Sequence, residues 1–222
     1  MLRTIISLIQ TEGFSPFVIA IIAAMAVTLL FCLPVHEWAH AYTAYKLGDN
    51  TARFKGRMTL NPFAHLNWMG TILMLVAGVG YATAVPVNPL NFKNKKGGMA
   101  LVSVMGPLSN FVLAFAFMLL GKLVALYGSN FAFAYFFIQL ALVNASLMVF
   151  NLLPIPPLDG SRILTLFLPE QLYFKLMRYE QYIMIGLLVV LYLGFFDPVI
   201  SFLQEKILSL LDILTGFVGF LY

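Results

Sequence analysis

Charge-free apolar runs and short polar intervals alternate along this chain. The first run, Phe17 to Val35, follows Ser15-Pro16, a capping side chain with proline at the first helical position. At 1.5 Å per residue it covers about 28 Å, close to the ~30 Å hydrocarbon thickness of a bilayer. The helix is expected to continue to about Leu47, with a bend at Pro34. Residues 48 to 65 are polar, with Arg53, Lys55 and Arg57 among Gly, Thr and Asn, and suit a loop or short strands at the membrane surface. Leu66 to Val85 is apolar again but carries Gly70, Gly78 and Gly80. Beyond it, Pro86 and Pro89 push the residues before them toward extended conformations, which predicts a strand around Val85 to Phe92.

Three clearer apolar stretches follow: Met99 to Gly121, Phe131 to Leu153 and Tyr182 to Phe196. Asp197-Pro198 repeats the cap-plus-proline signal and opens a final helix to about Tyr222. The N-terminal residues, broken by Glu12 and Gly13, read as a short interfacial segment rather than a signal peptide. The pattern predicts an all-α polytopic membrane protein with a small membrane-associated β-loop and about five to six transmembrane or re-entrant segments. No repeat or separate soluble module is visible, so residues 1–222 read as a single membrane-embedded domain.

Composition agrees. Of 222 residues 61% are hydrophobic and only 10% charged, against roughly 25% charged in an ordinary soluble domain. The net charge of +4 is scattered over loops and forms no basic stripe, which excludes nucleic acid as a partner. Cys32 is the single cysteine, so an internal disulfide and a cysteine-rich metal site are both excluded.

The charges orient the chain instead. If Leu66 to Val85 re-enters rather than crosses, Lys46, Arg53, Lys55, Arg57, Lys93, Lys95, Lys96, Arg162, Lys175 and Arg178 share one face. Arg3, Lys122 and Lys206 remain for the other face or the boundary. By the positive-inside rule the His36 end of the first helix is then cytoplasmic and the N-terminus outside.

Candidate chemistry centres on His36-Glu37-Trp38-Ala39-His40. Four residues of helix turn ~400°, so both imidazoles share one face about 6 Å apart along the axis, as two adjacent ligands of a tetrahedral zinc require. Glu37 lies one position beyond the first ligand and can take a proton from a metal-activated water. Ionisable residues inside a membrane are costly, so such a cluster is a functional hypothesis by default. A third ligand is offered by Asp159 in Asn151-Leu-Leu-Pro-Ile-Pro-Pro-Leu-Asp159-Gly160. The same residue would suit the N-cap of the helix that follows.

These motifs resemble the site-2 protease family of intramembrane metalloproteases, whose signatures are H-E-x-x-H in one transmembrane helix and L-D-G in a later one. Here they are residues 36 to 40 and Leu158-Asp159-Gly160. Gly106-Pro107-Leu108-Ser109-Asn110 is similar to a G-P-x-x-N element of the family, and the Asn-x-x-Pro-x-Pro run precedes the aspartate. The resemblance covers roughly residues 17 to 165, in a short form without a PDZ domain. It implies one Zn2+ per chain held by His36, His40 and Asp159, with Glu37 as general base, and a β-loop that pairs with an unwound substrate. It also implies Asn151 as the amide that stabilises a tetrahedral intermediate.

The expected function is hydrolysis of peptide bonds in or near transmembrane segments of membrane proteins. The expected partners are transmembrane protein substrates and the lipid bilayer, with the oligomeric state open. The expected location is the cell membrane of a prokaryote, with the site toward the cytoplasm. Two other classes use the same residues: a metal or ion transporter, in which Glu37 would have no need of its position, and a proteolytically silent relative that binds membrane proteins. Among other polar residues, His65 is a substitute ligand, a hydrogen-bond donor to the transition state or a packed loop residue. Asn110 braces helices, Asn144 is interhelical glue or a weaker oxyanion candidate, and Cys32 packs.

Overall fold

Ser15 opens the first helix as the pattern predicts: its hydroxyl accepts from Val18 N–H at 3.3 Å, and Pro16 takes the first helical position. The computed structural model describes residues 7, 9–11, 13–66, 83–128, 130–169, 171–172 and 178–221. Helix α1 (Pro16–Lys46) contains one wide turn at Thr28–Cys32, where Leu33 N–H reaches back to the Thr28 carbonyl. Pro34 follows directly; it has no N–H to offer, and its ring crowds the preceding turn, so the widened turn lets the helix continue past it.

The polar interval holds two single turns, α2 (Thr51–Phe54) and α3 (Pro62–His65), the latter capped by Asn61. Residues 83–88 have no regular secondary structure and lead into a 3-10 turn at Pro89–Asn91, capped by Asn88. No strand occurs among the described residues. The strand expected around Val85 to Phe92 finds no partner ladder there, and Asn88-Pro89 closes a capped turn instead. Helix α4 (Lys95–Tyr127) starts at the Asn94 cap, and α5 (Phe131–Asn151) at Asn130. After a proline-rich turn come α6 (Asp159–Ile163), a 3-10 turn at Leu164–Leu166, α7 (Glu180–Tyr192) and α8 (Asp197–Leu214). Asp197 is the first residue of α8 rather than its cap, and the final helix gives way to a 3-10 segment, Gly216–Leu221.

Helices α1, α4 and α5 are long and apolar enough to cross a membrane, and α7 is a shorter apolar helix. Small residues let α4 and α5 approach closely: Ala114 meets Ala141 and Ala145, beside Met118, with Leu211 of α8 packed in the same cluster. Ala24 and Cys32 join α1 to Leu140 of α5. Asn144 tightens that seam, its amide donating to the Leu140 carbonyl at 2.8 Å and to Cys32 Sγ at 3.4 Å. Ile19, Phe31, Leu101, Val112 and Leu120 stay exposed, an outward surface that lipid accepts where water would not.

Ala44 of α1 packs with Phe92, Met99 and Val102, so the end of α1 and the start of α4 lie at the same end of the bundle. The chain between them returns to the side it left. Most of the apolar segment expected to re-enter, residues 67–82, lies outside the described residues, as do Lys175 and most of the N-terminal interfacial segment.

Candidate metal centre

The four-residue spacing on α1 brings the Nε2 atoms of His36 and His40 to 3.1 Å from each other. Asp159 Oδ2 lies 3.2 Å from His36 Nε2 and 3.1 Å from His40 Nε2. Pro154, Pro156 and Pro157 keep the chain from continuing α5 as a helix, so it turns back to deliver Asp159 at the first position of α6. Leu158 is the N-cap and Asp159 makes no capping bond, which leaves its carboxylate to the histidines. Gly160 allows the turn: a Cβ there would stand 2.2 Å from the Leu152 carbonyl oxygen and 2.5 Å from that of Leu153.

Helix α4 supplies the floor. His40 Nδ1–H donates to the Val102 carbonyl at 2.7 Å, and the Asn110 side-chain amide lies 3.2 Å from His36 Nδ1. Between them Gly106 faces the two rings with no side chain to displace them. Positions 102, 106 and 110 recur every four residues, one stripe of a helix.

Glu37 is buried and its Oε2 accepts from Val85 N–H at 3.1 Å. A cavity of about 60 Å³ opens here, lined among others by Glu37, His40, Ala84, Val85, Asp159 and Arg162. Its lining is half polar, and it has room for a few waters.

The donor set fits zinc. Tetrahedral coordination with bonds of about 2.0–2.1 Å separates ligand atoms by about 3.3 Å, and the three atoms here stand 3.1 to 3.2 Å apart. Two imidazole nitrogens and one carboxylate oxygen are among the ligands this ion takes, with a fourth position left open. Donation from Nδ1 to Val102 leaves the His40 Nε2 lone pair facing the others.

Other residues singled out from the sequence lie elsewhere. Asn151 donates its amide to the Leu147 carbonyl of its own helix at 3.0 Å and does not line the cavity. His65 is buried with Nε2 bonded to the Thr59 carbonyl at 2.8 Å, outside the three-residue cluster. The sequence reading missed Asp49, which is wholly buried. Its carboxylate accepts from Thr51 N–H at 3.0 Å, the Thr51 hydroxyl at 2.5 Å, Asn88 N–H at 2.7 Å and the Asn91 amide at 2.7 Å. It thereby ties the end of α1 to the segment that reaches Glu37. No local pattern marks such a residue; the signal is three-dimensional.

The family model described as Peptidase family M50 matches residues 122–193. YwhC of Bacillus subtilis, a protein named as a zinc metalloprotease, is 41% identical over 89% of this chain and 91% of its own. Rip2 of Mycobacterium tuberculosis, named likewise, is 31% identical over 82% of this chain and 70% of its own. Rip2 of Mycolicibacterium smegmatis is 32% identical over 59% and 52%. No solved structure matches the chain.

Proposed function

This chain belongs to peptidase family M50, the site-2 proteases, and from that we propose a division of labour among its residues as an intramembrane zinc metalloprotease. The convergence of His36, His40 and Asp159 beside Glu37 carries the reading. These three residues hold one zinc, and Glu37 is the general base. Zinc, when bound, supplies a Lewis acid that polarises a peptide carbonyl and lowers the pKa of water to about 7. Glu37 takes a proton from the attacking water and returns it to the leaving amine. The buried position of Glu37 at the cavity wall supports this role.

The substrate is a transmembrane segment of another protein, locally unwound, because a helix hides its carbonyls in its own hydrogen bonds. Residues 83–88, which lead to Glu37 without ladder partners among the described residues, offer a backbone edge against which such a strand can pair. A role for Asn151 at the oxyanion would require its amide to leave Leu147. Helices α7 and α8, added to the three long spans, give five membrane segments in one domain. The positive charge at the site's end of the bundle supports a cytoplasmic site, and the bacterial relatives support a prokaryotic cell membrane.

The test is zinc content and cleavage of a panel of membrane-helix substrates by wild type and Glu37→Gln. Cleavage by wild type alone, with zinc retained in both, is the expected result. Cleavage by both would remove Glu37 from the chemistry, and a protein without zinc would overturn the site.

A further inference from the structure

The two histidines are held in different ways. His40 faces a backbone carbonyl, an obligate acceptor, so its proton sits on Nδ1 and its Nε2 is free. His36 instead faces the side chain of Asn110, whose amide nitrogen lies 3.2 Å from Nδ1. Asn110 is completely buried on α4, and its Oδ1 has no hydrogen-bond partner among the described residues.

With the amide nitrogen donating, His36 Nδ1 must accept, and the ring proton falls on Nε2. There it points at Asp159 Oδ2, 3.2 Å away. That arrangement pairs both ring nitrogens of His36, but it leaves Asn110 Oδ1 unpaired among the described residues and blocks the nitrogen a metal needs. Turning the amide by half a revolution exchanges its nitrogen and oxygen in nearly the same space. Oδ1 then accepts from Nδ1–H, and Nε2 presents its lone pair.

Resting on the zinc site proposed above, we propose that Asn110 is a positioning residue for His36, whose amide accepts from Nδ1–H when metal is bound and donates to bare Nδ1 when it is not. An aspartate at this position could only accept, and an apolar residue could do neither. The amide therefore lets His36 gain and lose metal without leaving a buried ring nitrogen unpaired. It also stiffens the ring against rotation, as partners behind metal-bound histidines do.

The experiment measures the zinc dissociation constant by chelator competition on the full chain in detergent micelles, with far-UV circular dichroism reporting the fold. Wild type, Asn110→Ala, Asn110→Asp and, as reference, His36→Ala are compared. Asn110→Ala is expected to weaken zinc binding by about 10–100-fold, the usual cost of losing such a partner. Asn110→Asp, nearly isosteric and still an acceptor for Nδ1–H, is expected to match or exceed wild type. Equal weakening in both variants would make Asn110 a packing residue and overturn the proposal, as would unchanged affinity in Asn110→Ala. Should Asn110→Ala not fold, the ring 15N shifts of His36 in wild type decide: the Nδ1–H form with zinc and the Nε2–H form without it support the proposal, and one form in both states overturns it. Failure of wild type to bind zinc would instead sink the underlying site.

Discussion

Gly106 lies directly against His40: a Cβ built on Gly106 would stand 2.1 Å from His40 Nε2 and 2.7 Å from His36 Cε1. The ring cannot retreat without losing its bond to the Val102 carbonyl. Gly106→Ala is therefore expected to displace the imidazole from the cluster and lower bound zinc more than tenfold. Helix content should stay unchanged, since alanine is the better helix former. Metal analysis and far-UV circular dichroism on the same sample check both halves.

Gly160 and Gly186 give a paired prediction. A Cβ on Gly160 would overlap the Leu152 and Leu153 carbonyl oxygens, whereas one on Gly186, in α7, would meet nothing within 4 Å among the described residues. Backbone atoms cannot swing aside as a side chain can, so Gly160→Ala should cost about 1–3 kcal/mol and move Asp159. Gly186→Ala should be neutral or stabilising by up to about 1 kcal/mol. Thermal unfolding in detergent, with zinc affinity alongside, separates the two; equal effects would contradict the close approach at Gly160.

Much of this was legible in the chain itself. Ser15-Pro16 located the start of α1 because capping is a local interaction, and the apolar runs placed the starts of α4 and α5 to within a few residues, although the Asn94 and Asn130 caps went unread. His36, Glu37 and His40 were legible because four residues of helix fix their relative placement. Asp159 could be read either as a cap or as a ligand; only the turn back over Gly160 decides which way its carboxylate points. Asn151 looked well placed because it adjoins the aspartate, yet an asparagine on a buried helix can satisfy its amide on the carbonyl one turn back. The extended reading of Val85 to Phe92 weighed the prolines but not Asn88, whose side chain and backbone both commit it to a turn anchored at Asp49. Contacts across some forty residues leave no mark in periodicity.

Asp49 carries the last prediction. Burial works to raise its pKa, but hydrogen bonds from Thr51, Asn88 and Asn91 outweigh burial and hold it below the ordinary carboxylate value. A folded-state pKa below the unfolded value of about 3.9 contributes stability that is fully present above that value. The contribution is lost as pH falls through the lower, folded value. Asp49→Asn removes the charge and turns a donor toward groups that are themselves donors, so it should cost about 1–3 kcal/mol at neutral pH. The gap between wild type and Asp49→Asn should then narrow below about pH 4, measured as Tm in detergent between pH 7 and 3. Because Asp49 anchors Asn88, three residues from the Val85 N–H that meets Glu37, cleavage should fall while zinc content holds. A gap that stays constant with pH would show that the carboxylate's charge does not hold the segment. Cleavage at the wild-type rate would show that the segment does not set Glu37.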